Sequence, residues 1–301
     1  MINSQIIFIV GPTAVGKSDI AMELAKRVDG EIVSCDSMQV YRECPIASNQ
    51  PSLEQKTQVA HHCVGCVSVT DNFNVNRYQH IASQAIEDIL SRQKIPIVVG
   101  GSGLYVNALL YGIFESQGAD LELRDKLLKE AQDSGAEILH QRLAQLDPKS
   151  AEHIHPNNIK RVIRALEVCL THQTPMSEIQ KHRRGLAEKY SFKIFGISME
   201  RLALYDRINR RVLKMIEDGL IVEIQSLDDK NLSQTARYLI GVREIQGFLK
   251  GEWDLNHAVE RMQLTTRHLA KRQMTWFRRD ERIEWIKSDL QAVDKMMQSF
   301  L

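Results

Sequence analysis

The apolar run Ile6–Val10 leads directly into Gly11-Pro12-Thr13-Ala14-Val15-Gly16-Lys17-Ser18, and this junction constrains the fold more than any other stretch of the chain. The run is short and rich in β-branched residues, which predicts a buried strand. Apolar residues between Ser18 and Val28 recur at helical spacing, so a helix follows. The octapeptide matches G-x-x-x-x-G-K-[ST] in the strand-to-helix context that this pattern requires. The chain is therefore predicted to begin as a strand, a phosphate-binding loop and a helix.

The same alternation of strand and helix returns further along the chain. Apolar runs at Glu31–Cys35 and Ile95–Val99 predict two more strands, and Leu104–Leu110 predicts a helix after the second. A fourth strand is expected at Phe192–Ile197. Alternating units with apolar strands form a parallel sheet covered by helices on both faces. We predict an α/β fold, with a parallel sheet core like that of the P-loop NTPases, flanking helices and an all-helical insertion domain.

Between the third and fourth predicted strands the strand pattern disappears. We predict that residues 113–193 form the helical insertion, and that residues 1–112 and 194–301 form the catalytic core with its C-terminal helices. Helical spacing of apolar residues predicts helices at Leu121–Gln132, Ala136–Leu146, Asn158–Leu170, Glu200–Asp218, Arg237–Lys250 and Leu255–Phe277.

Composition excludes several classes of protein. The 301 residues are 43% hydrophobic with only 7 prolines, which is typical of a globular chain and not of a disordered or collagen-like one. Five cysteines form no secreted disulfide framework, and no apolar stretch approaches the roughly 18 residues of a membrane span. We therefore expect a cytoplasmic protein without a membrane partner. Cys63 and Cys66 have the spacing of a zinc knuckle, but without a second ligand pair we favour buried thiols.

The phosphate loop predicts a ligand with two or three linked phosphates. Its glycines let backbone N–H groups turn toward phosphate oxygens, Lys17 adds a cation, and Ser18 can ligate Mg²⁺. A nucleotide-hydrolysing protein normally has a strand that ends in an acidic residue for Mg²⁺. Here Val99 precedes two glycines and Ile197 precedes a serine. This difference favours a loop that holds a leaving group.

Asp36 and Ser102 follow two strands whose carboxyl ends should lie at the mouth of the site. Asp36 is a candidate base, although an aspartate here can also cap the segment Ser37–Tyr41. Ser102 can cap the helix that begins at Leu104 or present its hydroxyl to a substrate, and its position alone favours neither role.

Basic residues are concentrated late in the chain. Between Lys160 and Lys193 there are eight Lys or Arg against three Glu, and between Arg261 and Arg282 seven against two acids. Such runs usually form solvated helix faces, yet two of them in a chain of net charge +1 are compatible with a nucleic-acid partner. A separate basic stripe at helical spacing, suited to closing over a diphosphate, consists of Arg207, Arg211 and Lys214.

In this order, the motifs resemble those of the tRNA dimethylallyltransferases, also called tRNA isopentenyltransferases. The resemblance runs nearly end to end, and the set of segments is far more specific than the phosphate loop alone. After that loop, the matching segments are Asp36-Ser37-Met38-Gln39-Val40-Tyr41, Val99-Gly100-Gly101-Ser102-Gly103-Leu104-Tyr105, His155-Pro156-Asn157, Arg161, Arg164-Ala165-Leu166-Glu167-Val168, Ala270-Lys271-Arg272-Gln273 and Thr275-Trp276-Phe277-Arg278.

The resemblance implies a reaction. A dimethylallyl group would move from dimethylallyl diphosphate to N6 of the adenosine directly 3′ of the anticodon, position 37, in tRNA. Mg²⁺, Lys17 and the loop amides would neutralise the leaving diphosphate. Asp36 would accept the N6 proton, Ser102 would contact the adenine, and the base would be flipped out of its stack to reach them.

The resemblance also implies the RNA contacts, with the insertion gripping the anticodon stem. The expected tRNA-binding residues are Asp36, Ser37, Met38, Gln39, Ser102, Arg124, Lys160, Arg161, Val162, Ile163, Arg164, Leu239, Ile240, Gly241, Val242, Arg243 and Glu244. The expected diphosphate-binding residues are Gly11 to Ser18 with Arg207 and Arg211.

Two other functions compete with this interpretation. A small-molecule P-loop kinase would place ATP in the loop and use Asp36 on a substrate hydroxyl, but kinases of this size carry a short lid and not about eighty residues of basic helical insertion. A non-catalytic RNA-binding module would have no use for an intact Lys17 and Ser18. The oligomeric state is open from sequence, with a monomer as the expectation.

Overall fold

A computed structural model of the chain describes residues 5–114 and 120–300. Six strands form one parallel sheet in the order β3-β2-β4-β1-β5-β6. The strands are β1 Gln5–Val10, β2 Gly30–Cys35, β3 His61–His62, β4 Ile95–Gly100, β5 Ser191–Ser198 and β6 Ile283–Lys287. The four strands predicted from apolar runs are confirmed, and β1 lies between β4 and β5.

Fourteen α-helices connect and cover these strands within the described ranges. They are α1 Lys17–Val28, α2 Leu53–Gln58, α3 Val75–Ser91, α4 Gly103–Tyr111, α5 Leu121–Ser134, α6 Ala136–Leu146, α7 Pro148–His153, α8 Ile159–His172, α9 Met176–Ile179, α10 Arg201–Glu217, α11 Leu220–Gln225, α12 Val242–Leu249, α13 Leu255–Phe277 and α14 Ala292–Phe300. Short 3₁₀ turns lie at Gln180–His182, Leu186–Glu188 and Ala236–Tyr238.

Alternating side chains of β1 enter two separate apolar cores, as expected for a sheet that is covered on both faces. Ile6 and Phe8 pack with α3, α4 and the later helices, whereas Ile7 and Ile9 pack with α1 and α14. Because both faces are buried, every β1 side chain from Ile6 onward is apolar. Polar residues can therefore gather beyond the carboxyl ends of the strands.

Two compact units make up the chain: residues 1–110 with 186–301, and residues 111–185. The smaller unit therefore ends eight residues before the limit that the sequence suggested for the insertion. It contains α5 to α9, and its own core includes Leu127, Leu139, Leu143 and Leu166. The regular structure among the described residues of this unit consists of helices and a 3₁₀ turn.

One predicted helix is wrong. Arg237–Lys250 was expected to be continuous, but the chain forms a 3₁₀ turn at Ala236–Tyr238 and begins α12 only at Val242. Gly241 separates the two with a φ of 107°, a conformation that a continuing helix cannot contain. The glycine fits the helical spacing of apolar residues around it, so periodicity alone missed the break.

Candidate active site

The phosphate loop follows the end of β1 and leads into α1. Gly16 immediately precedes the helix with a φ of 99°, a backbone conformation that would be strained in a residue with a side chain. Gly11 is equally restricted, because a Cβ there would lie 2.6 Å from the carbonyl oxygen of Ile197 on β5. These two glycines let the loop curl over the end of the sheet with the N-terminus of α1 facing the cleft.

Lys17 bends back across this loop. Its Nζ donates to the Pro12 carbonyl at 2.7 Å. Burial lowers the pKa of Lys17 to about 8; Asp36 opposes that shift and the neighbouring Arg211 adds to it. A nearby anion stabilises the charged form of a buried lysine, so the loop is suited to a phosphate group.

Two arginines of α10 face the loop as the basic stripe predicted. Arg211 donates from Nη2 to the Thr13 hydroxyl at 2.8 Å, and its buried Nε has no hydrogen-bond partner among residues 5–114 and 120–300. Burial lowers the pKa of Arg211, Asp36 raises it, and the neighbouring Arg207 lowers it. An unsatisfied guanidinium donor beside a phosphate loop is suited to an anionic ligand. The third member of the stripe, Lys214, pairs instead with Asp218 at 2.9 Å.

A side chain from the far end of the sequence completes the loop. The Thr13 backbone N–H donates to Gln273 Oε1 on α13 at 2.8 Å, across 260 residues of sequence. Gln273 also lies against Gly101, where a Cβ would be only 2.1 Å from its Nε2. The sequence placed Gln273 in a motif but assigned it no role; no local pattern signals this contact.

Asp36 directly follows β2 and is half-buried at the cleft. Its Oδ1 accepts from the Met38 backbone N–H at 2.9 Å, so the carboxylate caps a turn. The segment Ser37–Tyr41 is not helical, so Asp36 caps a turn and not a helix. Capping orients the carboxylate and is compatible with a role as base.

Ser102 lies between β4 and α4 and lines the same cleft. Its carbonyl accepts from the N–H groups of Tyr105 and Val106, and its own N–H donates to Cys35. Within the described residues, its hydroxyl has no hydrogen-bond partner. The helix start is therefore supported by the Ser102 backbone, and the hydroxyl is available to a ligand.

These groups open on one cleft of about 1400 Å³ in the larger unit. Polar groups at the carboxyl ends of β1, β2 and β4 line it together with α10 and α13. Its lining includes Thr13, Ala14, Gly16, Lys17, Ser18, Asp36, Ser37, Met38, Gln39, Ser102, Arg207, Arg211, Leu239, Ile240 and Gln273. The predicted catalytic residues, most of the phosphate loop and part of the predicted RNA segments thus meet at one place.

Other residues of the predicted RNA segments are placed differently. The side chains of Val162, Ile163, Leu239, Val242 and Glu244 are buried. The Glu244 carboxylate accepts from the Gly241 N–H at 3.0 Å and fixes the start of α12. In the predicted RNA segments 160–164 and 239–244, the exposed residues are Lys160, Arg161 and Arg243.

In the insertion, Arg124 and Arg164 both bind Glu167. The nearest distances are 2.9 Å from Arg124 Nη2 and 2.6 Å from Arg164 Nη1, both to Oε2. Arg164 and Glu167 are three residues apart on α8, a spacing at which side chains on one helix meet. The contact with Arg124, on α5, could not be read from the spacing.

A sheet of this order, with a phosphate loop after β1, two arginines facing that loop and a carboxylate directly after β2, defines a P-loop protein that binds a phosphorylated ligand beside a potential proton acceptor. A family model described as IPP transferase matches residues 39–280. The chain belongs to the IPP transferase family.

Individual relatives are similar over nearly the whole chain. A tRNA dimethylallyltransferase of Acetivibrio thermocellus is 44% identical over 95% of this chain and 92% of its own. One of Geobacter metallireducens is 43% identical over 94% and 93%. The crystal structure of a tRNA isopentenylpyrophosphate transferase from Bacillus halodurans superposes with a TM-score of 0.71 at 37% identity, covering 99% of this chain and 94% of that one.

A eukaryotic dimethylallyltransferase whose structures are described as acting on tRNA superposes with a TM-score of 0.79 at 26% identity. It covers 98% of this chain, which spans 77% of that protein. The predicted α/β fold with a P-loop core is confirmed by these structures and by the sheet. Within the described ranges, no helix has the length and apolar character to cross a membrane.

Proposed function

We propose that this chain is a tRNA dimethylallyltransferase that transfers a dimethylallyl group from dimethylallyl diphosphate to N6 of the adenosine directly 3′ of the anticodon, position 37. The observation that carries the proposal is the convergence of the phosphate loop, Arg211 and Asp36 on one cleft of a chain in the IPP transferase family. Relatives aligned over more than nine tenths of the chain support the same enzyme class.

The leaving diphosphate occupies the phosphate loop. In the reaction, the bond between the allylic carbon and the diphosphate oxygen breaks and a bond from N6 to that carbon forms. Negative charge grows on the diphosphate, where the loop amides, Lys17, Arg207 and Arg211 stabilise it. Two of these cations are fixed before the reaction, since Arg211 is held by Thr13 and Lys17 by Pro12.

Mg²⁺ fits the donor set at the start of α1. The Ser18 hydroxyl is exposed at the cleft, and oxygens of a bound diphosphate would supply the remaining hard ligands together with water. The buried Nε of Arg211 has no hydrogen-bond partner among the described residues, and because Arg211 lines the same cleft as Ser18 it is suited to a diphosphate oxygen. When bound there, Mg²⁺ neutralises charge on the diphosphate.

Asp36 accepts the proton that N6 loses. The adenine amino group is a weak nucleophile because its lone pair is delocalised into the ring, so a base assists as the new bond forms. The hydrogen bond from Met38 holds Oδ1 and orients the carboxylate. The Ser102 hydroxyl, at the end of β4, positions the adenine beside it.

The tRNA is bound through its phosphates and presents the adenosine as a flipped base. In our proposal the exposed side chains Lys160, Arg161 and Arg243 contact RNA, the insertion binds the anticodon stem, and the residues near Asp36 and Ile240 contact the flipped nucleotide. The enzyme works in the cytoplasm, where its five cysteines, all free thiols in the structure, remain reduced. The monomeric state stays a prediction that size-exclusion chromatography tests.

A labelling experiment tests the activity. The protein is incubated with Mg²⁺, unmodified tRNA and dimethylallyl diphosphate labelled in the allyl group, and in parallel with ATP labelled at the γ-phosphate. Label from the allyl donor should appear in the nucleoside 3′ of the anticodon, and tRNA with guanosine at that position is the matched control. Transfer of the γ-phosphate to a small hydroxylated molecule, without allyl transfer, would contradict the proposal and favour a kinase.

A further inference from the structure

We propose that Glu167 is a positioning residue which holds the guanidinium groups of Arg124 and Arg164 side by side, so that the two arginines bind one RNA phosphate as a preformed pair. This inference rests on the proposed function, because the phosphate belongs to the bound tRNA. A carboxylate within a basic surface would ordinarily be expected to repel RNA. In this proposal the buried carboxylate of Glu167 instead supports RNA binding.

The carboxylate of Glu167 is buried and accepts four hydrogen bonds. Its side chain is 2% exposed in the middle of α8. Oε1 accepts from Arg124 Nε at 3.0 Å and from the Asp120 backbone N–H at 2.8 Å. Oε2 accepts from Arg124 Nη2 at 2.9 Å and Arg164 Nη1 at 2.6 Å. A carboxylate has about four acceptor positions, so its capacity is filled.

The number of arginines is larger than burial of the carboxylate requires. A buried carboxylate needs one cation, and a single bidentate arginine is enough to neutralise it. Here Arg124 provides that bidentate contact, and Arg164 adds a second cation to the same carboxylate. Both arginine side chains remain more than a third exposed, at 37% and 35%. Both side chains can therefore be reached from solvent.

Preorganisation explains the benefit for binding. A free arginine on a helix surface loses rotamer entropy when it binds a phosphate, whereas one already fixed by a carboxylate loses less. Two guanidinium groups that share one carboxylate oxygen are adjacent, and each can donate to one of the two non-bridging oxygens of a phosphodiester. Lys160 and Arg161 lie exposed in the turn of α8 that precedes Arg164, and they extend the same basic segment.

The substitution Glu167→Gln separates positioning from simple charge, because the two predict opposite signs. Removing a negative charge from an RNA-binding surface should tighten tRNA binding if the arginines act only as point charges. If Glu167 positions them, the variant loses the shared acceptor. We then expect the KM and Kd for tRNA to rise about tenfold and the salt dependence of Kd to become shallower, with kcat at saturating tRNA and the KM for dimethylallyl diphosphate unchanged.

Glu178→Gln is the matched control. It makes the same change of charge in the same unit, but Glu178 is 42% exposed and pairs with Lys149 and Lys181 in place of arginines. This variant should bind tRNA as well as the parent or slightly better. An equal loss of affinity in both variants would overturn the proposal, since it would reflect only charge or general disturbance of the insertion.

A second set of variants covers the case in which Glu167→Gln loosens the insertion, as judged by hydrogen exchange in α5 and α8. Arg124→Lys with Arg164→Lys retains both charges and the carboxylate but removes the planar forks. It should weaken tRNA binding about tenfold without changing exchange, whereas Arg142→Lys, at an exposed pair with Glu130, should not. Wild-type affinity in the double variant would refute the paired phosphate site.

The two proposals fail in different ways. If the parent protein transfers no label from dimethylallyl diphosphate to tRNA, the proposed function is wrong. If the parent transfers label and Glu167→Gln binds tRNA as tightly as the parent, only the role of Glu167 is wrong. Combining Glu167→Gln with both lysine substitutions completes a double-mutant cycle, in which no further loss of affinity is expected.

Discussion

At the scale of single residues, Asp36 combines two roles that one pair of substitutions can separate. Asp36→Asn keeps an oxygen for the Met38 N–H but cannot accept a proton, and Asp36→Ala loses both properties. Because the proton acceptor acts in the transition state, we expect both variants to lower the rate by roughly 10²-fold or more, with tRNA binding largely intact. Single-turnover transfer at saturating tRNA measures the effect.

The two variants discriminate between base and cap by their difference. A residue that only caps the turn would be restored by asparagine, since the amide oxygen accepts the same hydrogen bond. Near-normal transfer by Asp36→Asn together with slow transfer by Asp36→Ala would therefore remove Asp36 from the chemistry. Equal and large losses in both variants support its role as base.

The pH dependence of donor binding belongs to Lys17. Burial lowers the pKa of its ammonium group to about 8, so Lys17 in the free enzyme is charged below that pH and becomes neutral above it. Affinity for the diphosphate should be complete below pH 8 and should fall above it. The fall should approach a factor of ten per pH unit, the limit for loss of one proton.

A profile of the KM for dimethylallyl diphosphate between pH 6.5 and pH 9.5, taken at saturating tRNA, checks this expectation. Lys17→Arg keeps the positive charge at every pH in this range, so its KM should be higher overall but independent of pH. The same bend in both profiles would assign the titration to another group.

At the scale of elements, the break before α12 depends on Gly241. Its φ of 107° is unfavourable for any other residue, and an added Cβ would also lie 3.3 Å from Met262 Cε. Gly241→Ala should lower the free energy of unfolding by about 1–2 kcal/mol and raise the KM for tRNA, because Leu239 and Ile240 at the cleft depend on this turn.

Gly251→Ala is the control for that variant. Gly251 also has a positive φ, of 73°, and follows the other end of α12, where no atom in the described part of the chain lies within 4 Å of an added Cβ. It should cost a similar free energy of unfolding without changing the KM for tRNA. Denaturant titration and steady-state kinetics on both variants give the comparison. Equal effects on the KM would mean that lost stability alone explains the result.

The insertion depends on Asp147, which joins two of its helices. The buried carboxylate accepts from the backbone N–H and hydroxyl of Ser150 and of Ser177, at 2.6 to 3.1 Å. Asp147→Ala leaves these donors unpaired and should destabilise the insertion by about 2–4 kcal/mol. Faster hydrogen exchange in α7 and α9 is the expected signature, with the exposed Asp125→Ala as a control.

The same carboxylate predicts an effect of acid. Burial raises the pKa of Asp147, but hydrogen bonds from Ser150 and Ser177 outweigh it and hold the pKa below its ordinary value. A lowered pKa contributes stability that is present above about pH 4 and is lost as the pH falls through the folded-state pKa. The parent insertion should lose protection in that range more steeply than Asp147→Ala, which has already lost the contribution.

At the scale of the whole molecule, a net charge of +1 hides local concentrations of positive charge. Binding of tRNA should still depend on salt, because counterions are released by local phosphate contacts and not by the total charge. Arg161→Ala should reduce the slope of log Kd against log salt by somewhat under one unit. Lys26→Ala, an exposed lysine of α1 outside the predicted RNA segments, should leave it unchanged. If Arg161→Ala had the same slope as the parent protein, Arg161 would be excluded from the RNA interface.

The sequence by itself determined those features that depend on neighbours along the chain. The phosphate loop, the four apolar strands and helices such as Ala136–Leu146 follow from spacing over a few residues, because strand and helix periods are local. The placement of Asp36 and Ser102 at one edge follows from the parallel sheet. Helix α3 and strand β6 were not predicted, although α3 buries Tyr78 and Ile86 at helical spacing.

Only the tertiary structure decided which distant side chains meet. Gln273 binds the Thr13 N–H across 260 residues, and Glu167 binds Arg124 from another helix. Such contacts depend on how helices pack and on the need to satisfy each buried polar group, and neither is encoded in local periodicity. The break at Gly241 has the same origin, since a glycine permits a positive φ but only the surrounding packing requires it.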